Sequence, residues 1–126
     1  MDGAAAHLPA WQAGAVGEVG KWLTVPEVAE RLGVPVGRVH QLLHDGGLAG
    51  VRTGGELRVP AGFLAGGTVV KGLSGVLTLL RDGGYSDDEA IRWLHTEDDS
   101  LPGTPVDALR SARGREVKRR AQALGF

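Results

Sequence analysis

The chain has 126 residues, no cysteine and a formal net charge of −1. The lack of thiols excludes a disulfide scaffold and thiolate metal sites, and the balanced charge argues against a sequence-blind nucleic-acid binder, which needs a large cationic excess. No apolar run reaches membrane-spanning length and the start lacks the charged head and apolar core of a signal peptide, so a cytoplasmic protein with no membrane partner is expected.

The length suits one domain or two very small ones. Residues 1–20 are rich in Ala and Gly with little periodicity, and are expected to be a flexible N-terminal arm in which Trp11 is loose or docks on the rest. The arm has no Lys or Arg before Lys21 and no Ser, Thr or Tyr before Thr24, which speaks against a minor-groove contact or a phosphorylation site there.

Residues 21–66 form the first expected domain. Thr24 and Glu27 make a capping box, Pro26 falls in the first turn, and Val25, Val28, Ala29 and Leu32 give the helix one apolar face ending at Gly33. A second helix is expected over 36–45, with Val39, Leu42 and Leu43 inward and Gly37, Arg38, His40, Gln41 and His44 on or beside the opposite face. Gly46-Gly47 stops it. Two β-prone runs around Gly54-Gly55, within 48–60, read as a hairpin. Helix, turn, helix and hairpin is a winged helix-turn-helix with a small two-stranded wing, whose second helix enters the major groove.

The Gly-rich passage 61–68 is the expected junction with a C-terminal helical domain, residues 67–126. From Val69 the pattern turns helical, with Leu73, Val76, Leu77 and Leu80 in one stripe ending at Gly83-Gly84. Ser86 and Glu89 form a second capping box, opening a helix over 87–96 in which Ile91, Trp93 and Leu94 are core candidates. Asp87, Asp88 and Glu89 favour the helix dipole, and Glu97-Asp98-Asp99 lacks the ligand spacing and glycine of a calcium loop. Thr104-Pro105 starts another helix with Val106, Leu109 and Ala112 inward; Gly114 interrupts, and Glu116 to Ala123 finishes the pattern. Arg113, Arg115, Lys118 and Arg119 lie in the most basic stretch, readable as a solvated face, as secondary phosphate contacts or as a partner surface.

Only His40 and His44, among four histidines, share a helix at i, i+4 spacing, and no third ligand matches them. No phosphate loop, dinucleotide fingerprint or nucleophile elbow appears. The expectation is therefore no catalytic residues, no metal and no cofactor.

The run LTVPEVAERLGVPVGRVHQLLHDGGLAGVRTGGELRVP resembles the MerR/excisionase-type winged helix, with its L-T-x-x-E-[AV]-A opening, L-G-V, short recognition helix, G-x-L and V-R-x-G-G-x-x-R-V wing. Pro35-Val36-Gly37 replaces the Ser/Thr-rich helix start usual there, so the recognition helix is expected to lack a side-chain cap. The run EAIRWLHTEDDSLPGTPVDALRSARGREVKRRAQAL is similar to the C-terminal domain of Xre/MbcA/ParS-type antitoxins, on Ala90, Trp93-Leu94, Leu101, Gly103, Thr104-Pro105, Leu109, Val117 and Ala121. The two together resemble a small actinobacterial family of winged-helix proteins.

The resemblance implies a mainly α protein that binds specific double-stranded DNA and regulates transcription near the nucleoid. The chemistry of base edges suits Arg38 for guanine and Gln41 for adenine, with Gly37, His40 and His44 beside them, and Arg52, Thr53 and Arg58 in the wing holding phosphates or the minor groove. If roughly four phosphates are neutralised per copy, the log–log salt slope is about −3.6, which calls for a homodimer or a protein partner through the C-terminal domain. The alternative is an antitoxin-like protein-interaction module in which that domain binds a toxin or dimerises and DNA binding is secondary.

Overall fold

The computed structural model describes residues 19–101 and 103–124. Most of the arm expected over 1–20, with Trp11, therefore lies outside the described residues. The elements, in chain order, are β1 (Trp22–Thr24), α1 (Val25–Leu32), α2 (Val36–Asp45), β2 (Val51–Thr53), β3 (Glu56–Pro60), a 3-10 turn (Ala61–Phe63), β4 (Leu64–Ala65), β5 (Thr68–Val69), α3 (Leu73–Asp82), α4 (Asp87–Leu94), α5 (Pro105–Arg110) and α6 (Gly114–Leu124).

Local chemistry sets the helix starts. Thr24 accepts from the Glu27 amide while the Glu27 carboxylate accepts from the Thr24 amide, at 3.3 and 2.8 Å. Ser86 with Glu89 and Thr104 with Asp107 repeat the device on α4 and α5. Each box satisfies two amides that a helix start otherwise leaves without partners. The α2 start has Pro35 as its cap residue and no side-chain cap, as the Pro35-Val36-Gly37 sequence implied.

The wing is an antiparallel hairpin whose turn residues Gly54 and Gly55 have φ of 61° and 82°. Positive φ at both central positions is the turn geometry whose twist matches paired strands, and glycine takes it without a Cβ penalty. The sheet is larger than the two-stranded wing expected from the sequence. In the structure β1 adds a third, in the order β1-β3-β2, with Leu23 opposite Val59 and Thr24 opposite Arg58. Three residues of β1 carry too little pattern to announce a strand; the pairing with β3 makes it one.

Four expectations in the second half are corrected. The helical pattern placed from Val69 begins only at Leu73, because Leu64–Ala65 and Thr68–Val69 pair as a small hairpin. The helix expected over 87–96 ends at Leu94, with His95 as its cap. Ala112, expected inward, is exposed with φ 65°, turning the chain between α5 and α6. Gly114 opens α6 instead of interrupting it.

One core runs through both halves. Leu23, Val28, Val39 and Val59 come from the winged part and Leu73, Leu77, Leu80, Ile91 and Leu94 from the helices, all nearly or wholly buried. Phe63 in the 3-10 turn is wholly buried and its ring centroid lies 5.5 Å from that of buried His95, whose Nδ1 donates to the Ile91 carbonyl at 2.7 Å. Two arginines of the second half reach carbonyls of the first: Arg81 those of Gly46 and Leu48, and Arg110 those of Gly62 and Leu64. Burying carbonyls at such a seam is tolerable because charged donors satisfy them.

Candidate nucleic-acid interface

Helix α2 is divided by burial into two faces. Val39 is fully buried and Leu42 and Leu43 are half-buried, so the helix is held by its apolar side against the core. Gly37, Arg38, His40, Gln41 and His44 are all exposed on the other side. The i, i+3 spacing brings Arg38 Nη1 within 3.3 Å of Gln41 Oε1, which it donates to. That bond presents a guanidinium and a carboxamide side by side, a donor-rich pair of the kind that reads base edges in a major groove.

The start of α2 adds to this. No side chain caps its first amides; the Arg38 amide donates to the Pro35 carbonyl at 2.9 Å, and exposed Gly37 leaves the backbone beside it accessible at the positive end of the helix dipole.

The wing residues divide differently from the expectation that grouped them. Directly opposed residues of an antiparallel pair share a face and neighbours along a strand alternate. Arg52 opposes Leu57, on the side of the sheet that carries Val59 and Leu23 into the core. Thr53 and Arg58 point to the other side, with Glu56 and Val51. Arg52 and Thr53 are exposed. Arg58 sits on the central strand, half-buried and ion-paired to Glu56 at 2.8 Å, with its Nε buried and without a hydrogen-bond partner.

Of the basic C-terminal residues, Arg115, Lys118 and Arg119 are exposed on α6, while Arg113 stands 3.6 Å from Glu116. Among the described residues no group of three or more His, Asp or Glu is placed to hold a metal ion. No helix among them is long and apolar enough to cross a membrane.

Sequence reasoning missed Arg81. It lies on α3 beside the apolar stripe, donates to the Gly46 and Leu48 carbonyls just beyond the end of α2, and pairs with Asp87 at 2.9 Å. The only local hint is its position one residue after buried Leu80 and four after Leu77, which turns the base of its side chain toward the core.

Comparison with known proteins matches residues 13–64 to the pattern described as "DNA-binding protein Rv2175c, wHTH domain" and residues 70–125 to the "Rv2175c C-terminal domain of unknown function". The chain is 48% identical over 115 residues to the DNA-binding protein Rv2175c of Mycobacterium tuberculosis (strain ATCC 25618 / H37Rv), covering 81% of this chain and 79% of that protein. The NMR structure of Rv2175c superposes with a TM-score of 0.77 at 45% identity, over 84% of this chain and 82% of the other. A winged helix-turn-helix followed by this particular helical domain, matched in sequence and in shape over most of both chains, shows that the protein belongs to the Rv2175c family.

Proposed function

We propose that this protein binds specific double-stranded DNA and acts as a transcriptional regulator, with α2 in the major groove and the wing on the flanking backbone. The observation that carries the reading is the exposed face of α2, where Arg38 and Gln41 stand hydrogen-bonded beside His40 and His44 while the opposite face is anchored in the core. A recognition helix needs that combination: a rigid mount and adaptable polar groups. The similarity to a protein named for DNA binding supports it. Arg38 reads guanine and Gln41 adenine; Arg52 and Thr53 contact phosphates, and Arg58, tied to Glu56, steadies the wing. Such a protein works in the cytoplasm, on the nucleoid.

The test is fluorescence anisotropy on a duplex from the gene's own upstream region and on a random-sequence duplex. Arg38→Ala is expected to cost about 1–3 kcal/mol on the upstream duplex and to narrow the gap between the two. Unchanged affinity and unchanged preference would remove α2 from the recognition role. Stoichiometry at saturation reads whether one or two copies occupy the site.

A further inference from the structure

Most of the positive charge of this protein lies outside the winged part. Residues 21–63 carry Lys21, Arg31, Arg38, Arg52 and Arg58 against four carboxylates, leaving an excess of one. Residues 110–124 carry six cations against Glu116 alone. A winged helix so nearly neutral has few groups with which to neutralise phosphates, whereas the basic helix has more than its own fold uses.

The structure shows which of those six are spent. Arg110 is bound to the Gly62 and Leu64 carbonyls, Arg113 stands near Glu116, and Arg120 donates to Ser100 Oγ at 2.7 Å and to the Glu116 carbonyl at 2.9 Å. Arg115, Lys118 and Arg119 form no hydrogen bond or ion pair among the described residues, and all three are exposed. They lie at i, i+3 and i+4, opposite the buried Val117 and Ala121 that seat α6 on the core. With about 1.5 Å rise per residue, Arg115 and Arg119 are about 6 Å apart along the helix axis. Successive phosphates of one strand advance about 3.4 Å along a duplex, so the stripe spans two to three of them.

The stripe also connects to the winged part. Arg115 and Lys71 both line one cleft between the β4–β5 hairpin and the α5–α6 turn. Strand β5 of that hairpin contacts α1, and a Cβ added at Gly67 would come 3.5 Å from the Arg31 carbonyl at the end of α1, from which the turn through Gly33 leads into α2. Arg31 and Lys71 are both exposed, and Arg31 lies near enough to Glu27 to help hold its carboxylate charged. The β4–β5 hairpin thus lies between the end of α1, which carries Arg31, and the α5–α6 turn, which leads to Arg115.

We propose that Arg115, Lys118 and Arg119, with Lys71 at the same cleft as Arg115, form a second contact with double-stranded DNA that grips phosphates beyond those reached by α2 and the wing. This rests on the DNA-binding reading above and assigns to the C-terminal domain a share in it. The contact is electrostatic and blind to sequence: it raises affinity for every duplex equally and leaves the choice of site to α2.

The test uses the full chain and the same two duplexes across a series of salt concentrations. Replacing Arg115, Lys118 and Arg119 together by Ala is expected to flatten the log–log salt slope by about 0.9 per lost phosphate contact, about 2.7 for all three. Affinity falls roughly tenfold or more on both duplexes, and their ratio is kept. Arg115→Lys with Arg119→Lys keeps the charge and is expected to keep the slope. Unchanged slope and affinity in the triple variant, with Arg38→Ala still altering preference, overturns this proposal alone and leaves the stripe to an acidic protein surface. Loss of preference in the triple variant also overturns it, since phosphate contacts carry none. Wild-type protein that binds neither duplex at low salt overturns both the proposal and the reading beneath it.

Discussion

Arg81 and Gly46 stand 35 residues apart in sequence, and the Arg81 Nη1 donates to the Gly46 carbonyl at 3.1 Å. The same guanidinium reaches the Leu48 carbonyl and is held from behind by Asp87. A cation at this point faces the negative end of the α2 dipole and takes up carbonyls that no helical amide can serve. The C-terminal end of α2 is therefore held in part by a side chain of α3.

Arg81→Ala is expected to destabilise the fold by about 1–3 kcal/mol, since it strips partly buried carbonyls of a charged donor. Arg81→Lys recovers only part, because one ammonium cannot reproduce the planar fork that serves Gly46, Leu48 and Asp87 together. Urea unfolding of the three proteins reads the difference.

Gly46 has φ 88°, and a Cβ there would lie 2.7 Å from Arg81 Nη1. Gly46→Ala combines backbone strain with displacement of that guanidinium, for an expected loss of about 1–2 kcal/mol. In a double-mutant cycle with Arg81→Ala the two losses are expected not to add, because the second removes the group the first displaces. Additive losses would mean that the steric contact is unimportant.

The wing offers a contrast between two arginines on opposite faces. Arg52→Ala is expected to leave stability unchanged within about 0.5 kcal/mol and to lower the salt slope of DNA binding by about 0.9. Arg58→Ala breaks the pair with Glu56 on the central strand, and is expected to lower the urea midpoint while moving the salt slope less than Arg52→Ala does.

Acid should weaken the helix starts. The Thr24 amide and hydroxyl hold the Glu27 carboxyl below its ordinary pKa, and Ser86 does the same for Glu89. A depressed carboxylate contributes its stability in full above about pH 4.3 and loses it as the pH falls through the lower folded value. Asp88 works against this: burial, then the charges of Asp87 and Glu89, raise its pKa, so its own contribution is present in acid and lost as pH rises. Glutamine can serve in a capping box without titrating. The double variant Glu27→Gln, Glu89→Gln is thus expected to lose less stability than the wild type between pH 7 and pH 3, as read by urea midpoints.

Phe63 joins the winged part to the helices at the His95 ring. Phe63→Ala is expected to cost about 3–5 kcal/mol and to shift one cooperative transition in calorimetry, with calorimetric and van't Hoff enthalpies equal. Two transitions of which only one moved would show the halves to be energetically separate.

The sequence by itself determined the features whose causes are local. Thr24 with Glu27 and Ser86 with Glu89 announce helix starts because a cap bonds within four residues, and Gly54-Gly55 announces the wing because only glycine takes both turn positions freely. The exposed face of α2 followed from the spacing of Val39, Leu42 and Leu43. Tertiary structure decided what depends on partners distant in the chain. β1 and the β4–β5 hairpin exist through pairing, which two or three residues cannot signal alone. The separation of Arg52 from Arg58 follows from strand register, and Ala112 turned outward in a left-handed turn between α5 and an α6 that packs on α3. The roles of Arg81 and Arg110 were decided the same way, since a long cationic side chain is committed only by the carbonyls that folding brings within its reach.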